Sequence, residues 1–138
     1  MSRYSHLVSI FVLLCLYMDI MSRYRKSYIQ MLCINMNEIE EIQKWYHSQC
    51  NEDWEHGLGV SVETLDNPGW SVKIDIEDTE LENRAYEEFS YGTGDEADTS
   101  GNDWLITKIE NRQFVGCGGP YKLKEILSLF ISWAQLNA

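Results

Sequence analysis

From residue 37 onward the hydrophobic positions recur with two different periods. In "NEIEEIQKWYHSQC", residues 37–50, Ile39, Ile42, Trp45 and Tyr46 follow helical spacing behind an acidic first turn. Asn37 is placed to cap that helix, with Glu40 three residues on. The period then changes to two. "GVSVETL" alternates with Val60, Val62 and Thr64 on one face, and "WSVKIDI" alternates with Trp70, Val72, Ile74 and Ile76 against Ser71, Lys73 and Asp75. Between them, "DNPG" predicts a tight turn in which Pro68 fixes φ and Gly69 supplies a positive φ. Two alternating runs about a turn predict an antiparallel hairpin with one buried face.

Further along, "RAYEEFSY" is a weaker strand candidate, and "GTGDEADTSGN" has the composition of an acidic loop. "DWLITKIE" and "QFVGCG" predict a second hairpin about Asn111 and Arg112. After Gly118-Gly119-Pro120, Leu123, Ile126, Leu127, Phe130, Trp133 and Ala134 share one face of a terminal helix. Consecutive strands with helices only at the ends predict an α+β domain: an antiparallel sheet of about five strands flanked by an N-terminal and a C-terminal helix.

Residues 1–36 do not fit that pattern and are set apart from a single domain over 37–138. "LVSIFVLLCLYMDIM", residues 7–21, is apolar with basic flanks, the outline of a signal peptide or short anchor. It is shorter than the roughly 18 to 20 residues that span a bilayer, it contains Asp19, and no small-residue cleavage site follows. A translation start at Met36, giving a chain of 103 residues, is the third reading. The expected location is cytoplasmic, or membrane-anchored where residues 7–21 are translated and inserted.

Charge sharpens the division. Residues 1–36 hold four basic residues against Asp19, a net of +3, whereas 37–138 hold seven basic and twenty-one acidic residues, a net of −14. A small domain this acidic repels nucleic acid and anionic membrane surfaces and favours a basic partner. The four cysteines, Cys15, Cys33, Cys50 and Cys117, show neither CxxC pairing nor a disulfide framework, which fits reduced thiols.

Candidate chemistry changes little. His47, Cys50 and His56 are too few for a structural zinc set, and Cys117 lies far along the chain. Cys117 within "GCGG", or Cys50 with His56, would suit a small cysteine-dependent hydrolase only with a base and oxyanion donors beside the thiol. No phosphate-binding or dinucleotide fingerprint is present, and no cofactor is expected.

The strings "WYHSQCNEDWEHGLGVSVETLDNPGWSVKIDI" and "NDWLITKIENRQFVGCGGPYKLKEILSLFISWA" resemble the immunity protein 53 family of bacterial polymorphic-toxin systems. The resemblance rests on Trp45-Tyr46, the Cys50–His56 run, Thr64–Trp70, Asp75, Asp103-Trp104 and Gly118-Gly119-Pro120, and covers residues 37–138. It implies a protein that binds and blocks a cognate toxin. Many such toxins are nucleases with basic substrate channels, which an acidic, aromatic-bearing surface can occupy. The candidate toxin-binding residues are then Glu52, Asp53, Trp54, Glu55 and Asp66, with Trp54 an interface anchor or a core residue. Trp70, Trp104 and Trp133, at regular spacing, are expected in the core.

Overall fold

The computed structural model describes residues 37–96 and 101–136, so the expectations for residues 1–36 lie outside the described residues. Asn37 starts the first helix, α1 (Glu38–Gln49), by accepting the Glu40 N–H on its side chain at 3.2 Å. A single turn, α2 (Trp54–Gly57), leads into the hairpin β1 (Val60–Leu65) and β2 (Gly69–Asp75). Then come β3 (Phe89–Tyr91), the hairpin β4 (Leu105–Glu110) and β5 (Gln113–Gly118), and the final helix α3 (Leu123–Gln135). The strands form one antiparallel sheet in the order β1-β2-β5-β4-β3. This is the α+β architecture that the order of periods predicts.

The β4–β5 turn falls at Asn111 and Arg112, both with positive φ (52° and 58°), the backbone that a two-residue hairpin needs to match strand twist. The first hairpin turns differently. Its loop is Asp66, Asn67 and Pro68, and Gly69 is already the first residue of β2, not a positive-φ residue. Gly69 is required for another reason: a Cβ there would stand 2.3 Å from the carbonyl oxygen of Gly118 on the adjacent strand.

The helices lie on one face of the sheet. Val72, Ile74, Phe114 and Leu105 point from it into the core and meet Ile126, Leu127, Phe130, Ile131 and Trp133 of α3. Phe130 is the centre of an aromatic cluster in edge-to-face contact with Trp45 (4.8 Å between centroids) and Phe114 (5.2 Å). Tyr86 joins it against Phe114 and Trp133, and its hydroxyl satisfies the fully buried Thr107 hydroxyl at 2.5 Å.

Four indole N–H groups tie irregular chain to this core. Trp45 donates to Glu80 Oε1 at 3.0 Å, Trp54 to the Glu77 carbonyl at 3.0 Å, Trp70 to the Pro120 carbonyl at 2.9 Å, and Trp133 to the Ala85 carbonyl at 2.9 Å. Trp45, Trp54 and Trp133 bury their rings, Trp70 is half-buried against the core, and each spends its one donor on a loop. Trp104 is half-buried and stands outside the core cluster.

Two expectations about faces change, and one about the length of a strand. In α1 the buried positions are Glu38 and Trp45, while Ile39 is 57% and Tyr46 40% exposed. The inward face carries Trp45, packed on Phe130, and Glu38, which accepts a hydrogen bond from Ser128 of α3 at 2.9 Å. In β1, Val62 is 45% exposed, since the strand lies at the sheet edge beyond the cover of α3, which packs on β5, β2 and β4. The "RAYEEFSY" segment is a strand only over Phe89–Tyr91.

Candidate functional site

Residues 50–57 carry four of the five sequence candidates, and the local backbone explains which of them are exposed. After α1 the chain reverses through Glu52, which has a positive φ of 73°. The Asn51 side chain accepts the N–H groups of Asp53 and Trp54, at 3.0 and 2.8 Å. Glu55 folds back to accept the N–H groups of Asn51 and Glu52, at 2.9 and 2.7 Å. Its own backbone amide and that of Asn51, chief among its contacts, hold its carboxyl below the ordinary range. Glu55 therefore fastens the loop, rather than pairing with His56 by a hydrogen bond. Glu52 and Asp53 are left fully displayed.

Trp54 takes the core role. It is 4% exposed, edge-on to Trp45 at 6.0 Å, and has almost no surface to offer a partner. Its burial is what pins the loop carrying Glu52 and Asp53. Asp66, in the β1–β2 turn, is exposed at the far end of β1. Five residue steps of strand separate the two ends, roughly 17 Å, so Asp66 does not converge with Glu52 and Asp53.

Other carboxylates do converge there. Asp75, at the end of β2, accepts from the Gly59 N–H at 2.9 Å and from Gln113 at 2.8 Å. The segment after β2 contributes Glu77, Asp78, Glu80 and Glu82, held against α2 by the Trp54–Glu77 bond and against α1 by Gln49, which donates to Glu80 at 2.9 Å. Glu110 ends β4, on the far side of β5 from β2. Arg112 pairs with Glu77 at 2.7 Å and reaches Glu82 at 3.9 Å, while Lys108 pairs with Glu110 at 3.5 Å. One end of the sheet thus concentrates negative charge from three separated stretches of sequence. The run "IEDTELEN" at 76–83 was the signal available in the sequence, and only the fold brings it beside residues 52–55.

The thiols have plain surroundings. Cys117 lies on the sheet face away from the helices and contacts the Ser71 hydroxyl at 3.8 Å, whereas Cys50 donates to the Tyr46 carbonyl at 3.4 Å. Among the described residues, neither is hydrogen-bonded to an imidazole or a carboxylate, and no three His, Cys, Asp or Glu side chains are grouped to hold a metal ion. No helix among the described residues is long and apolar enough to cross a membrane.

No curated protein and no solved structure matches the chain. The profile of one family does: immunity protein 53, over residues 39–135. That span runs from the first turn of α1 to the last residue of α3 and includes every strand, both hairpins and the acidic end of the sheet. The chain belongs to the immunity protein 53 family.

Proposed function

We propose that this chain binds and neutralises a cognate toxin domain in the cytoplasm of the cell that makes it, as an acidic inhibitor without catalysis of its own. Family membership supports the immunity role. The observation that carries the mode of binding is the concentration of carboxylates at one end of the sheet, with Glu52 and Asp53 displayed on a loop pinned by Trp54 and Glu55. A net of −14 over residues 37–138 steers a basic surface toward this domain and discriminates against acidic ones. The basic channel of a nuclease is the partner surface this charge fits.

Titration calorimetry of the chain against the toxin domain encoded beside it, at low and high salt, tests the proposal. Binding is expected to weaken as salt rises, because charges at the rim of an interface are screened beyond about 8 Å at physiological ionic strength. Reversing both Glu52 and Asp53 to Lys is expected to weaken binding by about tenfold, taking each exposed pair at about 0.5 to 1 kcal/mol. Absence of binding at either salt by the folded chain refutes the immunity reading. Salt-indifferent binding moves the interface away from the carboxylates.

A further inference from the structure

β1 is the first strand of the sheet and pairs with β2 alone; among the described residues its outer edge has no strand partner. The orientation of its backbone follows from one hydrogen bond. The Asp75 N–H donates to the Gly59 carbonyl at 3.0 Å, so Gly59 faces β2. Backbone groups alternate sides along an antiparallel strand. Ser61, Glu63 and Leu65 therefore direct their N–H and C=O groups at β2, and Val60, Val62 and Thr64 direct theirs outward. Three donors and three acceptors stand in a row along the outer edge, repeating every two residues, about 6.8 Å, which is the spacing a further strand would match.

Sheet edges of this kind are normally blunted by brevity, proline, lysine or a bulge. The opposite edge, β3, follows that rule with three residues. β1 does not. It is six residues long, its register with β2 is unbroken, and "VSVETL" holds neither proline nor lysine. Its residues 61–64 are all exposed, Val62 among them.

We propose that β1 is a docking edge that receives an extended segment of the toxin as a sixth strand of this sheet. The inference rests on the immunity reading and names the element of the partner that is recognised. Charge selects the occupant. Glu63 is the one charged side chain of β1, and carboxylates bracket the strand, with Glu52 and Asp53 before it and Asp66 after it. The matching segment alternates an apolar residue beside Val62 with Lys or Arg beside Glu63, and continues into basic residues at its ends. A second copy of this chain would instead set one domain of net −14 against another. Glu52 and Asp53 on one side and Asp66 on the other thus lie toward opposite ends of a single linear site.

Proline at position 62 separates this backbone reading from a side-chain one. Val62→Pro removes an outward N–H and leaves the β1–β2 ladder intact, whereas Val62→Ala keeps the donor. Calorimetry of the full chain and both variants against the toxin domain encoded beside it is the test. The expected result is binding by wild type, little change in Val62→Ala, and roughly ten- to a hundred-fold weakening in Val62→Pro, the usual consequence of leaving a buried carbonyl unpaired. Hydrogen exchange of the wild-type complex gives a readout that survives misfolding of the proline variant: the amides of Val60, Val62 and Thr64 should gain protection.

A folded Val62→Pro protein that binds as wild type does, or protection elsewhere with none along β1, overturns the docking edge and leaves the immunity reading standing. Failure of wild type to bind overturns both. A wild-type dimer that Val62→Pro dissolves, seen by sedimentation equilibrium, assigns the edge to a second copy and overturns the toxin as its occupant.

Discussion

Gly116→Ala should unsettle the contact between α3 and the sheet. Gly116 sits in the middle of β5, opposite Val72 on one side and Thr107 on the other, with α3 lying across it. A Cβ at this position would stand 2.3 Å from Cγ2 of Ile126, and 3.4 Å from side-chain carbons of Phe114 and Thr107. Unstrained carbon pairs lie about 3.5 to 4.0 Å apart, so more than 1 Å of movement is needed where Ile126, Phe114 and Thr107 are all fully buried. Alanine also restricts the unfolded chain, which favours folding by about 0.5 to 1 kcal/mol. Because more than 1 Å must be made up among fully buried side chains, the upper part of the usual overpacking range applies, about 2 to 3 kcal/mol, leaving a net loss of about 1 to 2.5 kcal/mol. For a domain of this size that is roughly 5 to 20 °C in melting temperature.

Urea unfolding at equilibrium measures the loss, and a double-mutant cycle identifies its cause. Ile126→Ala alone should cost about 2 to 5 kcal/mol by leaving a cavity. With Cγ2 gone, Gly116→Ala should become neutral or stabilising, a coupling of about 1 to 3 kcal/mol. A Gly116→Ala protein as stable as wild type refutes the steric reasoning, as do effects that add within about 0.5 kcal/mol.

Three further outcomes are expected. Lys122 is buried between Asp103 (2.8 Å) and Glu125 (3.5 Å), above the Tyr91 ring, so Lys122→Met should destabilise by about 3 kcal/mol, the lower end for a broken buried pair because Asp103 is a third exposed. Burial opposes the ammonium, but Asp103 and Glu125 outweigh it and raise its pKa, so its contribution is complete below the ordinary lysine value of 10.5 and is lost as pH rises through the higher folded value; denaturation from pH 7 to 11 should show the wild-type advantage flat, then closing. Glu55 behaves oppositely. Its lowered pKa makes its contribution present above the ordinary carboxyl value of 4.5 and lost as pH falls through the folded value, so melts of wild type and Glu55→Gln should differ at pH 7 and converge in acid. A gap that persists undiminished in acid excludes the charge of Glu55 as its cause. Replacing Cys50 and Cys117 together by Ser should leave toxin neutralisation intact in a co-expression assay, and its loss in a folded protein would favour thiol chemistry.

The sequence by itself determined the elements wherever a segment makes most of its own contacts. The cap at Asn37, the alternation of Trp70 to Ile76, the turn at Asn111 and Arg112, and the Ile126–Phe130–Trp133 face of α3 all read correctly, because local spacing sets which side chains share a side. Tertiary structure decided how far each face is covered. Periodicity marks Val62 and Ile39 as apolar members of a stripe, yet the helix layer stops short of the edge strand, and Glu38, bonded to Ser128, is buried while Ile39 faces outward. It decided that Trp54 is buried against Trp45, beneath the acidic loop, which its place in the sequence does not show. It also brought Glu77–Glu82 beside Glu52 and Asp53, and left the outer edge of β1 without a strand partner among the described residues. Charge density is written in the sequence, but which charges meet, and which strand is last in the sheet, depend on contacts between residues far apart in the chain.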